Sequence, residues 1–262
     1  MSLSQLLLTN ACVIAGLMLV LWMISFPLRN VSIVDLFWGL GFVLVAWTSF
    51  FSIDASTPRS ITLVACTTIW GVRLSGYLAW RNLGKPEDFR YAEMRSRNGA
   101  FFAWTSLLFV FGLQGVVMWV VALPIQTGQL LELSVPPGNL YFLGLLIWLI
   151  GLSCESIADF QLAQFKSDVE NAGKIMDQGL WKYTRHPNYF GDFLVWWGLY
   201  LISFGNGQMS WSIIGPCVMS LFLMRISGVT LLEKSLVINK PGYETYMKRT
   251  SSFFPFPPRH SN

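Results

Sequence analysis

The stretch TRHPNYFGD, residues 184–192, places polar side chains at the start of an apolar run. Pro187 suits the first turn of a helix, because its missing N–H group costs nothing there. Asn188, Gly191 and Asp192 then fall at positions i, i+3 and i+4, which share one helix face. The asparagine and the acid offer hydrogen bonds to an amide or a hydroxyl, and the glycine would let another group approach the backbone.

Basic residues just before this helix suit a phosphate or a carboxylate. The free N–H groups and the positive dipole end of a helix start attract anions, and Lys174, Lys182 and Arg185 lie upstream. The composition favours a nucleotide-like cofactor site. The plainer interpretation is a helix start anchored at a membrane interface by Tyr183, Tyr189 and Arg185.

No soluble type of cofactor or metal motif competes with this stretch. Residues 39–44, GLGFVL, lack the third glycine of a dinucleotide fingerprint. P-loop, H-E-x-x-H and G-x-S-x-G patterns do not occur in the sequence. Two histidines, His186 and His260, are too few for a histidine-based metal site, and the four cysteines lie singly in apolar runs. We therefore expect no metal.

The composition predicts a membrane protein. Of the 262 residues, 53% are hydrophobic and 12% are charged, whereas soluble domains carry roughly 25% charged residues. Several nearly uncharged stretches reach the length of about 20 residues that a helix needs to cross a membrane. We predict an all-α, polytopic integral membrane protein in which residues 1–262 form a single bundle with a short tail over about 232–262. A large soluble domain is excluded, and no nucleic-acid partner is expected.

Seven transmembrane helices account for the apolar stretches. Fifteen of the 18 basic residues fall in the tail and in the loops of one side, against Arg59 alone in the loops of the other side. The positive-inside rule then places the C-terminus in the cytoplasm and the N-terminus outside. The predicted spans cover about 3–26, 31–51, 60–80, 100–123, 139–162, 188–205 and 210–231.

Six ionisable residues lie inside these spans, where a charge costs at least about 2.5–3.5 kcal/mol and marks a function or an ion pair. On the predicted topology all fall in the cytoplasmic half, where they could line one polar cavity. Glu155 and Asp159, one helical turn apart, repel each other and need polar or cationic partners. Structural ion pairs, such as Asp35 with Arg73, and snorkelling are the plainer alternative. The six are Asp35, Arg73, Glu155, Asp159, Asp192 and Arg225.

Longer motifs resemble a known enzyme family. The segment GLWKYTRHPNYFGD resembles the signature shared by steroid 5-alpha-reductases, sterol C14- and lamin-B-receptor-type reductases, and isoprenylcysteine methyltransferases. VDLFWGLGF, WGVRL, DFRY and SGVTLLEKSL…PGYETYMKRTSSFFPFPP resemble the bacterial branch of the steroid 5-alpha-reductase family, and together these motifs cover most of the chain. Asn188 and Asp192 match the reductase form. Arg225 and Glu233 are eight residues apart, unlike the arginine and closely following paired glutamates of the methyltransferases.

The resemblance implies a cofactor site for NADPH. Asp159 and Lys166 match the family's acid and base at the end of the fifth span, and Asn188 and Asp192 match its asparagine and acid on the sixth. Lys174 falls near a family arginine. Surplus positive charge favours NADPH over NADH. Weaker extensions of the site are Arg185, His186, Tyr189, Arg225, Glu233, Lys234 and Tyr243.

The reaction that the resemblance implies is reduction of the C4=C5 double bond of a 3-oxo-Δ4 steroid or a similar lipophilic enone. Hydride transfer to the β-carbon leaves negative charge on the carbonyl oxygen, which a protonated acid or a phenol stabilises. The family places a glutamate on its second span, so Asp35, kept protonated by burial, is the expected acid. The family's tyrosine on the third span has no match here, since Trp70 stands near its place. Tyr77, on that span, and Tyr91, in the following loop, are the two candidates.

We therefore expect an NADPH-dependent reductase in a bacterial inner membrane, surrounded by membrane lipids, with its active site open to the cytoplasm. No obligate protein partner is evident. Two alternatives stay open: an S-adenosylmethionine-dependent methyltransferase acting on a lipid or isoprenylcysteine, and a non-enzymatic sterol or lipid binder. The role of the tail after Phe253 also stays open, although FFPFPP could dock back at the membrane interface.

Overall fold

The computed structural model describes residues 1–53, 57–130, 137–205, 207, 209–226 and 229–259, without the side chains of 230–232, 234 and 235. Helices make up the regular structure, and no strand forms within these ranges. An isolated parallel bridge joins Thr184 to Ser251. The predicted all-α fold class is confirmed over this part of the chain.

The α-helices are named here in chain order. They are α1 (Leu3–Leu28), α2 (Ile33–Leu36), α3 (Trp38–Phe51), α4 (Pro58–Asn82), α5 (Phe89–Asn98), α6 (Phe102–Ser106), α7 (Leu113–Val121), α8 (Leu123–Gly128), α9 (Asn139–Ser167), α10 (Pro187–Ser203), α11 (Ile214–Leu221), α12 (Val229–Asn239) and α13 (Tyr243–Arg249). Short 3-10 turns occur at Gly99–Phe101, Val169–Asn171, Gly179–Lys182 and Ser210–Ile213, and π-helical stretches at Leu107–Gly112 and Phe222–Ile226.

Local capping explains where two of the long helices begin. The Ser2 hydroxyl accepts a hydrogen bond from the Gln5 N–H at 3.3 Å, and the Gln5 side chain accepts one from the Ser2 N–H at 2.9 Å. Thr57 and Ser60 exchange the same pair of bonds at the start of α4, where Pro58 occupies the first helical position. Each reciprocal pair of hydrogen bonds is a capping box, which satisfies N–H groups that a helix start leaves without a partner.

Apolar helices are long enough to span a membrane at several places. Within the described residues, four stretches have the length and composition to cross one: Leu3–Leu28, Pro58–Asn82, Phe89–Val121 and Asn139–Ser167. Trp38–Phe51, Ser210–Ile226 and the 17-residue α10 are shorter and occupy the remaining predicted spans. An integral membrane protein is supported, while the count of seven and the orientation stay predictions.

The chain forms two compact units. Unit 1 comprises Met1–Tyr141 and Ile202–Gly215, and unit 2 comprises Phe142–Leu201 and Pro216–Asn262. The sequence carries no linker at any of the three boundaries. The prediction of a single bundle stays a prediction.

In unit 1, two glycines let α3 and α4 pack closely. A Cβ atom on Gly39 would lie 2.9 Å from Oγ of Ser75, and one on Gly71 would lie 2.7 Å from Cγ2 of Val43. The Ser75 hydroxyl accepts a hydrogen bond from the backbone N–H of Leu40 at 3.0 Å. The crossing places α2, which precedes α3, next to α4 as well.

Unit 1 also buries a network of neutral polar side chains. Nδ2 of Asn10 donates to Oγ of Ser49 at 2.8 Å and to Oε1 of Gln126 at 3.1 Å. All three residues are fully buried. In an apolar interior such groups must find partners within the protein, and this network joins α1, α3 and α8.

In unit 2, glycines bring α9 and α10 into backbone contact. A Cβ atom on Gly151 would lie 2.7 Å from the carbonyl oxygen of Gly191, and one on Gly198 would lie 2.7 Å from the backbone nitrogen of Trp148. These distances are far below an ordinary contact. The two helices therefore pack along several turns, and they carry the acidic and amide residues singled out from the sequence.

We expect Gly198→Ala to destabilise the protein, because the new methyl group meets backbone atoms that cannot move away. Overpacking of this kind costs typically about 1–3 kcal/mol. Gly76→Ala on α4 is the control, since a Cβ there has nothing within 4 Å. Thermal midpoints of the detergent-purified variants check this. Equal midpoints for the two variants would contradict the close packing of α9 on α10.

Candidate functional site

Unit 1 brings an acid, a phenol and a carboxamide together. The Tyr91 hydroxyl donates to Oδ1 of Asp35 at 3.0 Å. Nε2 of Gln114 donates to the same oxygen at 3.3 Å and to the Tyr91 oxygen at 3.0 Å. Nη2 of Arg90 lies 3.6 Å from Oδ2 of Asp35. Tyr91 is buried, whereas 30% of the Asp35 side chain is exposed. We call Asp35, Tyr91 and Gln114 the acid–phenol cluster.

The loop before α5 holds this cluster together through Ser32 and Asp88. The Ser32 hydroxyl accepts from the backbone N–H of Asp88 at 2.8 Å. Asp88 then caps α5 by accepting from the backbone N–H of Arg90 at 3.0 Å, and it binds the Arg90 guanidinium at 2.8 Å. The first turn of α5, which carries the phenol, is thereby tied to the start of α2, which carries the acid.

A second tie in the same loop is an ion pair. Oε1 of Glu87 accepts from the backbone N–H of Val31 at 2.8 Å and from Nη2 of Arg95 at 2.8 Å. Burial raises the pKa of Glu87, but the hydrogen bonds from Arg95 and Val31 and the charge of Arg95 outweigh it and hold that pKa below its usual value. The ionised carboxylate therefore fastens the loop at neutral pH.

Of the two tyrosines predicted as partners of Asp35, Tyr91 is the one in contact with it. The Tyr77 ring instead faces the guanidinium groups of Arg73 at 5.6 Å and Arg81 at 5.5 Å. Tyr91 lies in the first turn of α5, not in a loop as expected. Arg90 is a cationic neighbour of Asp35, and an ion pair of Asp35 with Arg73 stays a prediction.

Unit 2 pairs two of the residues on which the cofactor prediction rests. Nδ2 of Asn188, in the first turn of α10, donates to Oδ1 of Asp159 on α9 at 3.1 Å. Glu155, Asp159 and Asp192 are buried. A Cβ atom on Gly191 would lie 2.7 Å from Cβ of Glu155. The close approach expected at Gly191 is thus made by α9.

Arg185 is bound by protein groups on every side of its guanidinium. Its Nε and Nη2 donate to the two carboxylate oxygens of Glu233 at 2.6 and 3.0 Å. Its Nη1 donates to the backbone carbonyls of Met247 at 3.1 Å and Thr250 at 2.5 Å. These contacts give Arg185 a structural role in unit 2, and a contact with a cofactor stays a prediction.

The same glutamate binds the motif's histidine. Nε2 of His186 lies 3.2 Å from Oε1 of Glu233. Burial raises the pKa of Glu233, yet the hydrogen bonds from His186 and Arg185 and their charges hold it below its usual value. Burial, together with the charge of Glu233, raises the pKa of Tyr243 to about 12. The carboxylate is ionised at neutral pH and the phenol is not.

The tail docks on the motif, which answers the question left open by the sequence. The backbone N–H of Arg185 donates to the carbonyl of Ser251 at 2.9 Å, and the Thr184 hydroxyl donates to the carbonyl of Phe253 at 2.8 Å. Farther along, the tail continues to contact the segment before α10. We call residues 243–256 the C-terminal clasp. It fixes the segment from which α10 starts.

The remaining predicted cofactor residues are scattered through unit 2. The Tyr189 ring stacks on His186, with ring centres 5.5 Å apart. Lys166, at the end of α9, and Lys174 are exposed, and the Lys174 carbonyl accepts from the Lys240 ammonium.

Two further predicted residues follow α11. Arg225 is exposed on the π-helical stretch, and Lys234 lies in α12, with its side chain outside the described part. Among the described residues, no group of three or more histidine, cysteine and acidic side chains could hold a metal ion.

The structure is helical, with several helices apolar and long enough to cross a membrane and with buried polar clusters in both units. Its sequence matches the family described as Protein of unknown function (DUF1295) over residues 21–250, and the chain belongs to that family. A similar protein is Uncharacterized protein C594.04c of Schizosaccharomyces pombe, which is 24% identical over an alignment of 266 positions. The alignment covers 90% of this chain and 76% of the yeast protein. No solved structure gives a significant match.

We expect Glu233→Gln to lower stability at neutral pH, because it leaves the Arg185 charge buried beside a neutral amide. Breaking a buried pair costs about 3–5 kcal/mol. The carboxylate of Glu233, with its pKa held below the ordinary 4.5, stabilises the fold fully above that value and loses its effect as the pH falls through the lowered pKa. The loss relative to wild type should therefore be present at neutral pH and shrink as the pH falls through the lowered pKa of Glu233.

Thermal midpoints measured from neutral pH downward check the prediction. Glu93→Gln is the control, because Glu93 forms an exposed pair with Arg97 and such pairs contribute about 0.2–1 kcal/mol. A midpoint of Glu233→Gln equal to that of Glu93→Gln at pH 7 would contradict the buried pair.

Proposed function

We propose that the protein is an NADPH-dependent reductase that acts within a membrane on a lipophilic enone such as a 3-oxo-Δ4 steroid. The observation that carries the proposal is the hydrogen bond between Tyr91 and Asp35. The resemblance to steroid 5-alpha-reductases calls for an acid and a tyrosine at the substrate carbonyl. A pair of that composition, formed by residues 56 positions apart, supports this chemistry.

The acid–phenol cluster can stabilise the charge that develops when an enone is reduced. Donors aimed at a carbonyl oxygen act most strongly where water is excluded. With Asp35 ionised, the phenol of Tyr91 donates to the carboxylate. When the carboxyl is protonated, the same contact runs from Asp35 to the phenol oxygen. The phenol hydrogen is then available to a substrate carbonyl, and Tyr91 acts as the polarising donor.

The residues of unit 2 suit a dinucleotide in their chemistry. Asp159 and Asp192 accept hydrogen bonds, as ribose hydroxyl and carboxamide groups require, and Asn188 both donates and accepts. The exposed Lys166 and Lys174 suit phosphate groups. Bound NADPH would supply the hydride.

Three other residues expected at the cofactor have a positioning role in the proposal. Arg185, His186 and Glu233 hold the start of α10 in place and thereby orient Asn188.

The proposal includes the topology that the sequence predicts. Seven spans with a cytoplasmic C-terminus would place the cofactor residues of α10 and the tail on the side where NADPH is found. The one-sided distribution of basic residues supports this orientation. A bacterial inner membrane and a cytoplasmic active site belong to the same proposal.

A cofactor-dependent shift in thermal stability tests the cofactor assignment. A ligand that binds only the folded protein raises the midpoint by mass action, and we expect NADPH to do so and S-adenosylmethionine not to. Asn188→Ala should lose the response, whereas Asn98→Ala, in unit 1 and remote from the cofactor residues in sequence, should keep it. Stabilisation by S-adenosylmethionine instead would favour a methyltransferase and overturn the proposal. A steroid that stabilises the protein without consuming NADPH would point to a lipid binder.

Substitution of the phenol tests the catalytic assignment. Tyr91→Phe removes the hydroxyl at nearly constant volume, and loss of one donor at a developing oxyanion lowers kcat by about 10²–10³-fold. Tyr77→Phe is the matched control and should leave kcat close to wild type. NADPH oxidation dependent on a 3-oxo-Δ4 steroid measures both. Equal rates in the two variants would remove Tyr91 from the mechanism.

A further inference from the structure

Gln114 joins the acid–phenol cluster although nothing in its sequence context marks it. It is uncharged and lies in the apolar run FGLQGVVM. A glutamine carboxamide carries two N–H groups. In the structure Nε2 reaches Oδ1 of Asp35 at 3.3 Å and the Tyr91 oxygen at 3.0 Å. The two donors are therefore shared between the acid and the phenol.

A π-helical stretch sets the direction in which Gln114 points. Leu107–Gly112 forms this stretch between α6 and α7, and Gln114 follows in the first turn of α7. One extra residue in a helical turn rotates the face of everything after it by about 100°, and such insertions are frequent at functional sites. The inserted residue thus helps to decide whether position 114 faces the cluster.

The donation from Gln114 restricts what the phenol can do. A phenol oxygen carries one hydrogen to donate and accepts through its lone pairs. Because Gln114 donates to this oxygen, the phenol hydrogen is directed away from Gln114, toward Asp35 at rest. In a protein without this carboxamide, the direction of the hydroxyl would be set by Asp35 alone, whose carboxylate draws the phenol hydrogen away from a substrate carbonyl.

We propose that Gln114 is a positioning residue that keeps the Tyr91 hydroxyl oriented as a donor toward the substrate carbonyl. The inference rests on the proposed function, since it takes the ligand to be an enone. Gln114 needs no contact with the substrate, because its effect passes through Tyr91. If Gln114 only filled space, its replacement by an apolar side chain of similar size would leave the hydrogen bond between Tyr91 and the substrate carbonyl unchanged.

Infrared difference spectroscopy of a bound steroid measures that hydrogen bond directly. The probe is a 3-oxo-Δ4 steroid with carbon-13 in its 3-carbonyl group. Donation by Tyr91 weakens the C=O bond, so the stretch in the wild-type complex should lie below its frequency in an apolar solvent. Gln114→Leu removes both N–H groups and should return the stretch toward the solvent value while the probe still binds.

Steady-state rates separate positioning from a general loss of structure. We expect kcat of Gln114→Leu to fall about 10- to 100-fold, the size of effect that a small misplacement produces, and KM for NADPH to stay as in wild type. Gln164→Leu, at an exposed glutamine of α9, is the control and should change none of these quantities.

A second variant keeps the test decisive if Gln114→Leu does not fold. In Gln114→Glu the protonated carboxyl can still donate to the phenol, whereas the carboxylate takes the phenol hydrogen instead. In Gln114→Glu, the shift of the carbonyl stretch and kcat should therefore both decrease as the pH rises. Wild type should not show this decrease. A wild-type pH profile in this variant overturns the inference.

The outcomes distinguish the inference from the function on which it rests. A wild-type carbonyl frequency in Gln114→Leu with bound probe overturns the role of Gln114 and leaves the reductase proposal standing. Wild-type protein that neither binds the steroid nor oxidises NADPH in its presence overturns the reductase proposal for steroids, and the inference with it. If the carbonyl stretch in Gln114→Leu returns toward its solvent value, and kcat falls while KM for NADPH stays unchanged, both the inference and the reductase proposal are supported.

Discussion

The pairing of polar groups with one another is the constraint on which both units depend, because a hydrocarbon environment offers them no other partner. Asp35 meets this constraint through hydrogen bonds from Tyr91 and Gln114, and Glu233 meets it through Arg185 and His186. Each acid is approached by donors from segments distant in sequence. The polar residues that could serve chemistry are therefore also the residues that hold their segments in place.

Close helix packing makes such pairing possible. Where α9 and α10 touch through Gly151 and Gly191, the short side chains of Asp159 and Asn188 can span the gap between the helices at 3.1 Å. Larger residues at the glycines would separate the helices and stretch the hydrogen bond between these two short side chains beyond its range. The glycine in the TRHPNYFGD motif thus serves the acid and the amide beside it by admitting a neighbouring helix.

Composition and local pattern predicted the all-α class, and the ends of α1, α4 and α9 fall within a few residues of the predicted spans, because hydropathy and helix length are local properties. These local properties do not predict which distant residues pair in the folded protein. Hydropathy placed Tyr91 in a loop, whereas the helical stretch already begins at Phe89, since polar residues there find partners in the preceding loop. Gln114 was not predicted because it carries no charge, whereas the residues singled out inside the spans were ionisable. The spacing predicted a close approach at Gly191, but spacing on one helix does not reveal which backbone lies opposite, and here it is that of α9.

The motif arginine shows why residue type alone is a weak guide to ligand contact. Upstream of a helix start, an arginine suits a phosphate, yet the guanidinium of Arg185 binds Glu233 and the carbonyls of Met247 and Thr250. Releasing it to an anion would leave a buried carboxylate with one partner fewer and two carbonyls without their donor, each at a cost of about 1–3 kcal/mol. Arg185 therefore acts through the C-terminal clasp. By fastening residues 243–256 to the start of α10, Arg185 helps to fix the position of Asn188, and a cofactor in unit 2 would depend on Arg185 through this contact.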